Sequence, residues 1–277
     1  MKRINVIGGV PRGGSTLLCN LMSQNPKMFA SDTSGLAITV HTAVQVLNSR
    51  NEFKSELGKA NTIAPDQMGG MISGMVQGYY SPRPEQIIFD KDRTNTWLYE
   101  HQVFHGALPN GVIFLLARDP REILASRLRH QAKNPLLRNP SEPNGFSTLS
   151  IADKMFSPQG LVGAAMAGIE EIIRLANLNK GSLRGIRLIQ YERFVADPES
   201  TVNRIYEALN EPIFDHDFNN VVDVSGDNDS MYSNLWPHKG SGKIQHRQPT
   251  WPTLVSADIA QIPLQRYPLY CSTFGYI

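Results

Sequence analysis

One run of residues constrains this chain more than any other: Gly8-Gly9-Val10-Pro11-Arg12-Gly13-Gly14-Ser15-Thr16. It follows a short β-branched segment, Arg3 to Gly8, and precedes a segment with helical apolar spacing at Leu17, Leu18, Leu21 and Met22. Strand, glycine turn and helix in that order bring backbone N–H groups and a helix N-terminus to one point, which makes a cradle for phosphate-like oxyanions. The ATP-binding form of this unit needs Gly-x-x-x-x-Gly-Lys-Ser/Thr, with the lysine on the terminal phosphates. Counted from Gly9 that lysine position is Ser15, and counted from Gly8 it is Gly14; the cation sits inside the loop instead, at Arg12. A glycine pattern of this kind is, taken alone, equally a plain tight turn. Ser15 is not a hydrolase nucleophile, because no Gly-x-Ser-x-Gly surrounds it.

Three further strands are expected at Gln86–Asp90, Val112–Ala117 and Ile186–Gln190, each short, apolar and flanked by helical spacing. Helices are expected at Asp66–Tyr79, Thr94–Gly106, Pro120–Gln131, Gln159–Asn179 and Pro198–Asn210. This alternation predicts an α/β chain with a central, mostly parallel sheet, helices on both faces and a P-loop-like nucleotide-binding core. With 41% apolar and 19% charged residues the chain has material for a core, and residues 1–277 read as a single domain. The stretch Asn134–Ser147 holds three prolines and reads as a surface loop, with a lid as the alternative. Leu161, Ala164, Ala165, Ile169, Ile172 and Ile173 form a core stripe.

Charge narrows the partners. Lys plus Arg is 27 and Asp plus Glu is 25, a net +2, which offers no broad grip on nucleic acid or an anionic membrane. An anion site must therefore be local. One local excess exists: from Arg118 to Arg138 there are six basic residues against two acids. In that stretch Arg118 ends a strand and Pro120 opens a helix; Ser126 lies two turns further on, so that Arg118 and Ser126 can converge on one anion if the loop folds back. The bland alternative is a solvated helix face with Arg–Glu pairs. No apolar run approaches a membrane span, and Met1-Lys2-Arg3 leads into Asn5, Gly8, Gly9 and Pro11 rather than a signal-peptide core. Two cysteines, Cys19 and Cys271, exclude a disulfide framework, and a cytoplasmic location is expected. His101 and His105 share a helix face, but the glutamate pattern of a zinc protease is absent, so no metal is expected.

Four ordered segments carry a family resemblance: Pro11-Arg12-Gly13-Gly14-Ser15-Thr16-Leu17-Leu18; Arg118-Asp119-Pro120-Arg121 with Ser126 eight residues after Arg118; Tyr191-Glu192-Arg193; and Trp236-Pro237-His238-Lys239-Gly240-Ser241-Gly242. Together they resemble the sulfotransferase family. The family loop is usually Pro-Arg/Lys-Ser-Gly-Ser/Thr-Thr-x-Leu, so Gly13 replaces a serine here; Arg193 replaces the usual Asp, and His238 an Arg. The resemblance implies 3′-phosphoadenosine 5′-phosphosulfate as sulfuryl donor. It implies that Arg12, Gly13, Gly14, Ser15, Thr16 and Leu17 bind the 5′-phosphosulfate. Arg118, Ser126, Lys239 and Gly240 would then hold the 3′-phosphate, and Tyr191 would reach the adenine.

It also implies catalytic roles. Arg12 is expected to neutralise the leaving group, with Lys91 as a second cation near the sulfate; a surface ion-pair cluster is the competing reading of Lys91. Where some members carry a histidine base, Arg93 stands here, and arginine cannot accept a proton. Asp32 is the first candidate base, weighed level with a plain helix-capping role, and Asp90 and His41 are reserves. The acceptor implied is a hydroxyl, or less readily an amine, on a small molecule, glycan or peptide; no nucleic acid and no membrane span are expected. Two other readings stay open: a small-molecule kinase with an atypical phosphate loop, and a nucleotide-binding module without catalysis.

Overall fold

The computed structural model describes residues 1–49, 65–96, 101–133, 147–178, 185–224 and 242–277. Five strands, β1 (Arg3–Gly9), β2 (Met28–Thr33), β3 (Ile87–Lys91), β4 (Ile113–Ala117) and β5 (Ile186–Gln190), form one sheet in the order β2-β3-β1-β4-β5. Every pairing is parallel. The helices are α1 (Ser15–Met22), α2 (Leu36–Ser49), α3 (Pro65–Tyr79), α4 (His101–Ala107), α5 (Pro120–Lys133), α6 (Thr148–Met155), α7 (Leu161–Leu178), α8 (Tyr191–Ala196), α9 (Pro198–Leu209), α10 (Ala257–Arg266) and α11 (Pro268–Thr273).

The central strands are buried on both faces, and alternate residues serve opposite cores. On β4, Ile113 and Leu115 join a core with Ile169 and Ile172 of α7, while Phe114 and Leu116 join a second core with Leu18, Leu21, Phe194 and Tyr206. Asn5 is buried within β1, where its amide donates to the Ile88 carbonyl and its oxygen accepts from Val112 N–H. A polar side chain is tolerated there because both of its ends are bonded.

Two expectations need correction. The sequence reading has no strand at Met28–Thr33; the structure places β2 there, at the sheet edge beside β3. Ser31, Asp32 and Thr33 look like helix caps in sequence, yet an edge strand exposes one side and tolerates such polarity. The helix expected from Thr94 leaves Thr94 and Asn95 outside: Asn95 has φ +56°. Of the glycines that weaken α3 as a helix, Gly69 has a packing use: a Cβ there would lie 3.3 Å from the Gly106 carbonyl oxygen, so glycine lets α3 approach α4 closely. The expected loop at Asn134–Ser147 and the segment Trp236–Ser241, with Lys239 and Gly240, lie outside the described residues.

Because the order reverses at β1, the chain leaves β1 toward β2 and leaves β4 toward β5. Loops diverging from neighbouring parallel strands open a crevice at their carboxyl ends. The glycine loop and the Arg118 segment are those two loops.

Away from the crevice, buried His216 gives the second core a pH dependence. Asn25 Nδ2 donates to the Tyr206 hydroxyl, which lies 2.9 Å from His216 Nε2; His216 Nδ1 lies 3.2 Å from Gln24 Oε1. A neutral imidazole protonated on Nδ1 satisfies both contacts, and burial is the main effect that lowers the His216 pKa from its usual 6.5. The folded pKa lies below the unfolded one, so the contribution is complete above pH 6.5 and is lost as pH falls through the lower folded value. Thermal unfolding from about pH 8 to about pH 5 should show a steeper acid loss in the unaltered protein than in His216→Gln. Parallel curves would show that His216 does not carry the slope.

Candidate functional site

The glycine loop begins with a hydrogen-bonded turn: Gly13 N–H donates to the Val10 carbonyl at 2.9 Å, with Pro11 and Arg12 at the corners. Arg12 has φ +65°, and proline fixes a negative φ before it; this combination is a type II turn. A non-glycine residue in the left-handed region costs on the order of 1 kcal/mol and is held only where its surroundings impose it. Gly14, at φ +96°, caps α1, and a Cβ there would lie 2.6 Å from the Tyr191 ring. The first-turn N–H groups of α1, from Ser15 to Leu17, have no intrahelical acceptors and are available to an anion. Gly13 differs from expectation: its amide closes the turn, and it does not line the cavity described below.

β3 brings Lys91 under this loop. Lys91 is 1% exposed, and its Nζ donates to Thr16 Oγ1 at 2.9 Å. Its own N–H donates to Ser31 Oγ of β2. The loop thus receives an ammonium from the neighbouring strand rather than from its own motif. Asp90 faces the other side of the sheet, where it accepts from the Tyr80 hydroxyl; burial first, then that carboxylate, push the Tyr80 pKa far up, so its proton stays in place. Asn95 fastens β1 to the end of β3: its oxygen accepts from Gly9 N–H at 2.7 Å and its amide donates to the Gly9 carbonyl at 3.0 Å.

β4 delivers Arg118 to the same place. Its Nη1 donates to the Arg12 carbonyl at 2.7 Å, Nη2 lies 4.0 Å from Glu122, and its guanidinium stacks 4.3 Å from the Tyr191 ring centre. Its Nε is buried and has no acceptor among the described residues. Asp119 is occupied by a two-point contact from Arg121, whose guanidinium covers Trp251. On α5, Ser126 is buried with Oγ 3.4 Å from Arg12 Nε, and His130, one turn on, has Nε2 2.7 Å from Arg12 Nη2. Guanidinium only donates, so His130 accepts with its proton on Nδ1.

A cavity of about 1360 Å³ lies between these segments, lined by Arg12, Gly14 to Leu17, Arg118, Ser126 and Tyr191. These residues, singled out in the sequence, are brought together. Its outer walls come from Ile151, Lys154 and Met155 of α6, from Leu161 and Val162 of α7, and from residues 242–250. Asp32, Asp90 and His41 do not line it, although Thr33, next to Asp32, does. Among the described residues no cluster of three His, Cys, Asp or Glu could hold a metal ion, and no helix is long and apolar enough to cross a membrane.

Sequence reasoning missed Asn95, His130 and Glu122. Asn95 carries no local signal. His130 could have been found four residues after Ser126, on the same helix face. Glu122 accepts from Trp251 N–H at 2.7 Å and from Thr250, so it fixes the segment that closes one cavity wall.

The sequence model described as "Sulfotransferase family" matches residues 6–216. The nodulation protein NoeE of Sinorhizobium fredii (strain NBRC 101917 / NGR234) is 22% identical over 209 residues, 73% of this chain and 48% of the relative. The chain therefore spans about half the length of the curated relative it matches. Among solved structures, the sulfotransferase domain of the Synechococcus PCC 7002 olefin synthase aligns with a TM-score of 0.56 at 17% identity, covering 100% of this chain and 96% of that one. A sulfotransferase from Alicyclobacillus acidocaldarius aligns at 0.51 with 15% identity, covering 99% and 96%. A mouse sulfotransferase solved in complex with PAP aligns at 0.52 with 11% identity, covering 99% and 85%. At these identities the likeness is one of fold.

Proposed function

Because this chain belongs to the sulfotransferase family, we propose that it moves a sulfuryl group from 3′-phosphoadenosine 5′-phosphosulfate to a hydroxyl, less readily an amine, of an acceptor. One observation carries the reading: Arg118, from the end of β4, binds the Arg12 carbonyl of the glycine loop and stacks on Tyr191, so two anion-binding segments share one cavity beside an aromatic ring. A nucleotide with anionic groups at both its 5′ and 3′ positions fits that pair. ATP, without a 3′-phosphate, uses one half of it. The Gly14 position supports the same fit, since any larger residue would strike the ring against which a base would lie.

The donor supplies a sulfur–oxygen bond to its 5′-phosphate; in transfer that bond breaks, its electron pair stays on the phosphate, and the acceptor oxygen bonds to sulfur. The protein's part is positioning and electrostatics, as in phosphoryl transfer. The α1 N–H groups, Ser15 and Thr16 hold the 5′ end, and Arg12 faces the oxygen on which charge develops. Lys91, buried behind Thr16, adds a fixed positive charge beneath the loop. Arg118 and Ser126 hold the 3′-phosphate with Lys239 and Gly240. Asp32, adjacent to the cavity-lining Thr33, is the first choice to take the acceptor's proton.

Calorimetric titration with 3′,5′-adenosine bisphosphate, beside ATP with and without magnesium, tests the reading. Magnesium-independent binding of the bisphosphate, at least about tenfold tighter than ATP, is expected. Preference for ATP with magnesium would replace this reading with a kinase. Bisphosphate binding without release of product from the donor, across an acceptor screen, would point to a binding module.

A further inference from the structure

The residues joining β4 to α5 leave both kinds of regular hydrogen bonding. β4 ends at Ala117, paired with Gln190, and α5 starts at Pro120. Three backbone groups between them, Arg118 N–H, Arg118 C=O and Asp119 N–H, need partners from elsewhere. Tyr270 serves two of them directly, and Tyr276 reaches the third through Glu192. The Tyr270 hydroxyl accepts from Arg118 N–H and donates to the Arg118 carbonyl, both at 2.8 Å. Asp119 N–H donates to Glu192 Oε1 at 2.9 Å, and Glu192 Oε2 accepts from the Tyr276 hydroxyl at 2.8 Å.

A hydroxyl has one proton to donate, and Tyr270 uses it on the same residue whose amide it accepts from. Those two hydrogen bonds restrain the peptide planes on both sides of the Arg118 Cα, and hence the direction in which its side chain leaves the strand. Tyr270 is itself held: it is completely buried, its N–H donates to Glu170 Oε1 at 2.9 Å, and its ring packs on Phe274 and Tyr276. None of the residues from 267 to 277 lines the cavity.

We infer that Tyr270, with Tyr276 acting through Glu192, is a positioning clamp for Arg118, so that residues 267–277 set nucleotide affinity without touching the nucleotide. This rests on the proposed donor site and adds to it a part of the chain that the glycine loop and the Arg118 motif do not contain. Tyr270→Phe keeps the ring and its packing and removes both bonds to Arg118.

The test is a double-substitution cycle read by calorimetry with 3′,5′-adenosine bisphosphate, well below the melting temperature of each variant. Tyr270→Phe should weaken binding by about tenfold in the unaltered background, and by less than about twofold in an Arg118→Ala background. A purely structural tyrosine would lower the melting temperature in both backgrounds and leave affinity unchanged. Equal binding by the unaltered protein and Tyr270→Phe would overturn the clamp alone, and so would equal losses in both backgrounds. No binding by the unaltered protein would overturn the donor reading, and the clamp's purpose with it. Should Tyr270→Phe fail to fold, Tyr276→Phe, one bond further from the loop, should weaken binding by about threefold in the unaltered background and have no effect in Arg118→Ala; no effect in either would overturn the clamp.

Discussion

Arg118→Ala should weaken binding of 3′,5′-adenosine bisphosphate by about 100-fold and of 5′-AMP by less than about threefold, because hydrogen bonds from a guanidinium to a phosphate dianion are among the strong ones. One Arg118 nitrogen is committed to the Arg12 carbonyl, another lies 4.0 Å from Glu122, and the buried Nε lacks an acceptor among the described residues. A guanidinium desolvated to this degree, and stacked on Tyr191, is prepared for a second anion. Arg118→Lys should recover only part of the loss, since an ammonium cannot both bond the Arg12 carbonyl and offer a planar fork. The measurement is the ratio of the two nucleotides' dissociation constants in each variant. Equal losses for both would mean that Arg118 acts by bracing the glycine loop, and the 3′-phosphate assignment would fall.

What was legible in the sequence, and what was not, follows one physical division. β1, β3 and β4 are legible because strands buried on both faces must be apolar runs, and such runs bounded by glycine, proline or charge stand out; β5, an edge strand with Arg187 and Leu188 exposed, is legible from β-branched Ile186 and Ile189 just after Gly185. β2, the other edge strand, is hidden because it ends in Ser31-Asp32-Thr33, with the Ser31 hydroxyl engaged in holding Lys91 rather than capping a helix. α6 is hidden too, a short helix capped by Ser147 that buries little beyond Ile151 and Ala152. The site divides in the same way. The glycine loop, Arg118 with Ser126, and Tyr191 each sit just beyond a strand, so the local pattern announces them. Asn95, His130 and Tyr270 act on residues 86, 118 and 152 positions away, and nothing local in their surroundings says so. Lys91 lies between: its place at a strand end was readable, its burial against Thr16 was not.

Arg12→Ala should reduce sulfuryl transfer by about a thousandfold or more while changing bisphosphate affinity by less than about tenfold, the pattern of an interaction made chiefly with charge that develops in the transition state. Release of bisphosphate from the donor, with water as the acceptor, reads this effect before any natural acceptor is known, since the same bond breaks. The backbone supplies a second, independent readout. Arg12 occupies the left-handed region at φ +65°, which disfavours any side chain and not glycine. Arg12→Gly should therefore lose transfer as fully as Arg12→Ala while melting at a higher temperature than Arg12→Ala. The Arg12 guanidinium meets Ser126 and His130, and all three residues line the cavity. Near-normal donor turnover in Arg12→Ala would remove it from the mechanism, and the charge on the leaving oxygen would then have to be met by Lys91 acting through Thr16.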